Sequence, residues 1–111
     1  MSNISTHILD TSLGKPAAGV RVWLEHEQDG QWLTLGESHT DTDGRARDLT
    51  STSLAAGHYR LSADLGVYFA ADRRATLYAT AIIDFVIKDA AQHYHLPLLI
   101  SPYSYSTYRG S

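Results

Sequence analysis

The stretch HYHLPLLISPYSYSTYRGS, residues His93 to Ser111, decides the fold. Side chains alternate between the two sides of an extended chain, so Tyr94, Leu96, Leu98 and Ile100 share one face and His93, His95, Pro97 and Leu99 share the other. The first face is apolar and suited to a core. A period of two rather than 3.6 reads as a strand over roughly residues 91–100. The Ser101-Pro102-Tyr103 corner then turns the chain into a last strand over Ser104–Arg109.

The rest of the chain repeats the pattern. From Asn3 to Asp10, Ile4, Thr6 and Ile8 lie on one face and Ser5, His7 and Leu9 on the other. A turn-rich connector, Leu13–Gly19, leads to a strand over Val20–Glu27 with Val20, Val22 and Leu24 inward. Asp29-Gly30 is a strong hairpin signal, with the returning strand at Trp32–Thr40. A second Asp-Gly turn, Asp43-Gly44, leads into Arg45-Ala46-Arg47, and Leu49–Gly57 reads as a loop. His58–Leu65 is another alternating strand, and Val67–Thr76 holds the one expected helix, about two turns long. An apolar strand follows within Leu77–Ile87. Short strands at regular spacing predict an all-β chain, an antiparallel β-sandwich of seven to eight strands with one short helix, forming one domain over 1–111.

Composition narrows the function. No apolar run approaches the roughly 18 residues of a membrane helix, and the N-terminal segment carries no visible signal peptide. The absence of cysteine excludes disulfides, thiolate nucleophiles and cysteine-based zinc sites. A net charge of −3 offers no footprint for nucleic acid, and no glycine-rich phosphate loop occurs. The expected location is the cytoplasm, and Arg-Gly-Ser is not a peroxisomal address.

The alternation that defines the strands also turns His7 and His95 away from the core. Either alone reads as an ordinary solvated histidine. Together they admit two chemistries. His93 and His95 form an H-x-H pair that, with His7, suits an open three-histidine zinc site, although no carboxylate stands beside the pair. Alternatively, an imidazole titrating near neutrality activates water as a general base, with an arginine to hold substrate charge. Arg45, directly after its turn, reads on its own as a surface arginine. Arg109, between Tyr108 and Gly110, suits pairing with a carboxylate. His26, His39 and His58 read as solvated. The alternating tyrosines and hydroxyls of Tyr103–Tyr108 fit an edge strand at a subunit interface.

Three segments carry a resemblance. STHILD (Ser5–Asp10), TDTDGR (Thr40–Arg45) and HYHLPLLISPYSYSTYRGS (His93–Ser111) resemble the transthyretin-related proteins that act as 5-hydroxyisourate hydrolases. The likeness extends over essentially the whole chain, including GKPAAGVRV at Gly14–Val22, and the final YRGS separates it from the hormone carrier transthyretin. One departure is Tyr78-Ala79-Thr80-Ala81, where the family leads a Pro-Glu pair into a strand. The resemblance implies a transthyretin-like sandwich, assembled as a homotetramer of two dimers with sites in the channel between them. It implies that His7, Arg45, His95 and Ser111 are catalytic and that His7, Arg45 and Tyr108 bind the substrate, 5-hydroxyisourate. No cofactor or metal is expected. The other reading is a non-enzymatic binder of aromatic ligands in the same channel.

Overall fold

The structure, a computed structural model, describes residues 2–111; Met1, the first residue of the expected domain, lies outside the described residues. The elements in order are β1 (Ile4–Asp10), β2 (Lys15–Pro16), β3 (Arg21–Gln28), β4 (Gln31–His39), β5 (Arg45–Ala46), β6 (Gly57–Asp64), α1 (Leu65–Ala71), β7 (Thr80–Ile87), β8 (Tyr94–Ser101) and β9 (Ser104–Thr107). They form two sheets. One runs β2-β1-β8-β9, with β5 also paired to β1; the other runs β4-β3-β6-β7. Both sheets are antiparallel except at one seam, where β1 and β8 run parallel from Ile4 opposite Tyr94 to Asp10 opposite Ile100.

The alternation seen in the sequence generates the core. Ile4, Ile8, Leu96, Leu98 and Ile100 from the first sheet meet Val22, Leu24, Leu61, Ile83 and Ile87 from the second, all buried. Each such aliphatic side chain stabilises the fold by roughly 1.5–3 kcal/mol relative to exposure. Asp29 and Gly30 both adopt positive φ (53° and 79°), the geometry of the tight turn expected from Asp-Gly.

Several boundaries differ from the sequence reading. The helix begins at Leu65, not Val67, because the Asp64 side chain accepts the Val67 N–H and caps it. It is about two turns long, as expected, and ends at Ala71, since Arg73 turns left-handed at φ 56°. β8 starts only at Tyr94, because Asp89 holds the preceding residues in a turn through the Ala91 and Gln92 N–H groups. β9 ends at Thr107 instead of Arg109.

One buried feature has no counterpart in the sequence reading. Asp10, on the core-facing parity of β1, is fully buried. Its carboxylate accepts hydrogen bonds from Arg74 (2.6 Å), Ser12 (2.6 Å) and Tyr68 (2.8 Å), tying the end of β1 to the helix region. Burial alone would raise its pKa, but these hydrogen bonds and the Arg74 charge outweigh it and hold the carboxyl at about 2. Burial and the Asp10 carboxylate push the Tyr68 hydroxyl up to about 12.

Candidate active site

The parallel seam is what assembles the site. With β1 and β8 in register, Ser5 stands opposite His95 and His7 opposite Pro97. On the other side of β1, β5 places Arg45 directly opposite His7. Residues that face each other across a ladder project to the same side, so Ser5, His7, Arg45 and His95 gather on one outward sheet face. The buried neighbours Thr6, Leu96 and Ala46 point the other way.

Each side chain is then fixed locally. The Asp43-Gly44 turn is held by the Asp41 carboxylate, which accepts the Asp43 and Arg45 N–H groups. Gly44 has φ +77°, and a Cβ there would stand 2.4 Å from the Ile8 carbonyl oxygen, so only glycine lets the turn lie this close on β1. In that position the Asp43 carbonyl accepts a hydrogen bond from His7 Nε2 at 2.8 Å. A carbonyl only accepts, so Nε2 carries a proton, and in the neutral tautomer that this bond selects Nδ1 is the acceptor.

His95 is half-buried. The Ser5 hydroxyl lies 2.9 Å from its Nδ1 and also 2.9 Å from Nε2 of His93, so a single oxygen joins the two rings. Burial lowers the His95 pKa, and the nearby charges of His7, His93 and Arg45 lower it further, against one hydrogen bond to Ser5. These surroundings favour the neutral form of His95.

The terminal segment lies across this ring. After β9 the chain leaves the ladder at Tyr108 and Arg109, then returns at Gly110, whose N–H donates to the His95 carbonyl at 2.8 Å. A Cβ on Gly110 would stand 2.6 Å from His95 Cδ2 and 3.3 Å from Pro97 Cγ. The glycine thus packs flat against the imidazole, and Pro97, on the same outward face as His95, is buried. Among the described residues Arg109 pairs with no Asp or Glu side chain. Its guanidinium sits 4.5 Å from the centre of the Tyr94 ring and donates to the Gln92 side-chain oxygen at 2.7 Å, pinning the segment.

Two adjoining hollows result. One, of about 270 Å³, is bordered by Ser5, Arg45, Arg47, His93, His95 and Ser111. The other, of about 450 Å³, is bordered by His7, Pro16, Asp43, Arg45 and Arg47. The sequence-derived residues His7, Arg45, His95 and Ser111 therefore come together around one pair of hollows. Tyr108 is exposed and borders neither in the single chain. Sequence reasoning passed over Ser5, Arg47 and a bonded role for His93. The signal for Ser5 and Arg47 was parity, since each lies two residues from a chosen residue on the same face. Among the described residues no three His, Cys, Asp or Glu side chains converge as a metal site. A hollow of about 370 Å³ elsewhere, beside β2 and α1, includes Lys15, Tyr68 and Arg74 but none of the histidines. Of the histidines read as solvated, His39 is exposed, but His26 stacks on Tyr59 at 4.7 Å and His58 bonds to Asp84.

Residues 4–110 match the profile of the HIUase/Transthyretin family. The chain belongs to that family. Within it, the chain is 46% identical, over 115 aligned positions spanning all of both proteins, to the 5-hydroxyisourate hydrolase of Caulobacter vibrioides. It is 38% identical to the mouse (Mus musculus) 5-hydroxyisourate hydrolase, covering 99% of this chain and 96% of that one. Among solved structures, Klebsiella pneumoniae 5-hydroxyisourate hydrolase superposes with a TM-score of 0.87 at 46% identity, over 97% of this chain and 98% of that one. Sea bream transthyretin in complex with thyroxine superposes with a TM-score of 0.92 at 30% identity, over 97% and 94%. Backbone similarity is thus high to both branches of the HIUase/Transthyretin family, and the side chains at the site have to decide between them.

Proposed function

We propose that this chain hydrolyses 5-hydroxyisourate to 2-oxo-4-hydroxy-4-carboxy-5-ureidoimidazoline in urate degradation. The observation that carries the reading is the convergence of His7, His95 and Arg45 on one outward sheet face, with an imidazole held neutral beside two guanidiniums. An aromatic-ligand carrier has no use for a neutral, pre-aimed base. An amide hydrolase needs one.

In this mechanism His95 accepts a proton at Nε2 from a water molecule as the water oxygen bonds to the ring carbonyl carbon. Arg45 and Arg47 stabilise the oxyanion; donors of this kind are worth about 10²–10³ in rate. The C–N bond of the cyclic amide then breaks, and the proton held on His95 passes to the departing nitrogen. His7, with Nδ1 free, accepts a hydrogen bond from a substrate N–H. Ser111 and Tyr108 position substrate and water through their hydroxyls. Serine attack is less favoured, because a nucleophilic serine needs an adjacent general base hydrogen-bonded to it.

The chain acts as a single domain in a cytoplasmic homotetramer of two dimers, with the sites at the dimer–dimer junction. Support comes from the site's position on an uncovered sheet face, where Tyr108 is 58% exposed and available to a second subunit. The edge strands β7 and β9 also offer unpaired backbone groups for side-by-side pairing. Among the described residues no helix is long and apolar enough to cross a membrane. The deciding experiment generates 5-hydroxyisourate from urate with uricase and follows its ultraviolet decay with and without this protein. Acceleration is expected; a decay no faster than the spontaneous one overturns the hydrolase reading in favour of a ligand carrier.

A further inference from the structure

His95 has a partner behind it that the hydrolytic scheme leaves unused. Its Nδ1 is 2.9 Å from the Ser5 hydroxyl, and the same oxygen is 2.9 Å from Nε2 of His93, which is exposed. A serine hydroxyl has one proton to give and two lone pairs to receive. It can therefore accept Nδ1–H from His95 while donating to Nε2 of His93, a continuous line of two hydrogen bonds leading from the hollow to solvent. In that arrangement Nε2 of His95 holds the free lone pair that a general base requires.

We propose that Ser5 and His93 form a proton relay behind His95, carrying positive charge out of the hollow during catalysis. The proposal rests on the hydrolase reading for its catalytic purpose. When His95 binds the proton from water at Nε2, its Nδ1–H passes to Ser5 Oγ and the Ser5 hydroxyl proton passes to Nε2 of His93. Three N–H or O–H bonds form and three break, counting the water, and the charge ends on His93. The return transfer restores Nδ1–H as Nε2–H is delivered to the departing nitrogen.

The physical reason is the charge around the site. An imidazolium at His95 is half-buried and faces His7 on β1, Arg45 and Arg47 along and beyond β5, and His93 on its own side. Arg109 of the terminal segment stands close by, donating to the His93 carbonyl at 3.4 Å. Among the described residues no Asp or Glu side chain borders the hollow that holds His95. The one carboxylate-bearing residue of the adjoining hollow, Asp43, uses its backbone carbonyl on His7. Charge formed at His95 thus lies beside the Arg45 and Arg47 guanidiniums with no Asp or Glu side chain to offset it, and moving it to exposed His93 places it where water screens it. Ser5 and His93 act through His95 and are positioning residues.

Three variants and one spectrum test this. Ser5→Ala cuts the relay and should lower kcat about 10²-fold with KM within about twofold, while Ser5→Thr, which keeps a hydroxyl, should recover most of the rate. His93→Gln keeps a hydrogen-bonding partner for Ser5 but binds no proton at neutral pH, so its kcat should fall as well. Wild-type kcat in Ser5→Ala, or in His93→Gln, overturns the relay. Imidazole nitrogen shifts of the free protein should show His95 protonated at Nδ1 in wild type and shifted toward Nε2 in Ser5→Ala. Finding His95 protonated only at Nε2 in wild type also overturns it. The spectrum uses no substrate, so it decides the relay even if 5-hydroxyisourate is not turned over, an outcome that would sink the hydrolase reading instead.

Discussion

An imidazole that must take a proton from water at neutral pH has to be uncharged, and the surroundings of His95 keep it so. Its pKa is lowered from the ordinary 6.5 by burial and neighbouring positive charge. A base with a lowered pKa stays active as the pH falls through the ordinary histidine value and is lost only below it. The acidic limb of kcat/KM should therefore lie below 6.5; a limb centred above it would contradict the assignment. His95→Asn should reduce kcat by about 10²–10⁴, measured in the uricase-coupled assay. Gly110 bears on the same ring from outside. The methyl of Gly110→Ala would fall 2.6 Å from His95 Cδ2, so either the imidazole or the terminal segment must move. Misplacement of this size costs about 10²-fold in rate. Because Gly110 lies outside the core cluster, the melting temperature should stay close to wild type.

At the scale of elements, the seven-residue helix depends on its cap. Asp64 Oδ1 accepts the Val67 N–H at 3.1 Å, and Asp64→Ala should cost about 1 kcal/mol in urea unfolding. That cap also explains a boundary the sequence hid. Asp64 reads equally as the next alternating strand residue and as a cap, and alternation alone carries His58–Leu65 one residue too far. Strand faces were legible, since Ile4, Ile8, Leu96 and Ile100 declare themselves by period and each is buried. Strand direction was not. Nothing in the pattern of β1 or β8 says that they run parallel, because the choice depends on the chain's path between them. The site inherits that gap. His7 and His95 were visible as outward residues, whereas Ser5 became meaningful only once the register set it against His95.

For the molecule as a whole, the buried charge at Asp10 is where stability and acidity meet. A carboxylate whose folded pKa is depressed to about 2 from 3.8 contributes stability that is fully present above 3.8 and is lost as the pH falls through about 2. Acid unfolding should accordingly steepen in that window, and replacing Asp10 by Asn should flatten it. Arg74→Met leaves the carboxylate without its cation, hydrogen-bonded only to the Ser12 and Tyr68 hydroxyls and the Ser12 and Leu13 N–H groups. Stranding a buried charge costs about 3–5 kcal/mol, which a denaturant titration would register.

The parallel seam also sets an order of events. Ser5 and His95 are 90 positions apart in the chain, yet they share a hydrogen bond. The β3–β4 hairpin, by contrast, closes locally through Asp29 and Gly30 and carries both tryptophans, Trp23 and Trp32. Contacts between distant residues pay their loop-closure entropy before they return any stabilisation. A newly made chain therefore holds β1 without β8 until the intervening strands have been synthesised, and no fragment lacking β8 has the site. In refolding, tryptophan fluorescence should recover no later than catalysis, with subunit assembly adding a concentration-dependent delay. Activity returning ahead of fluorescence would show that the seam closes first.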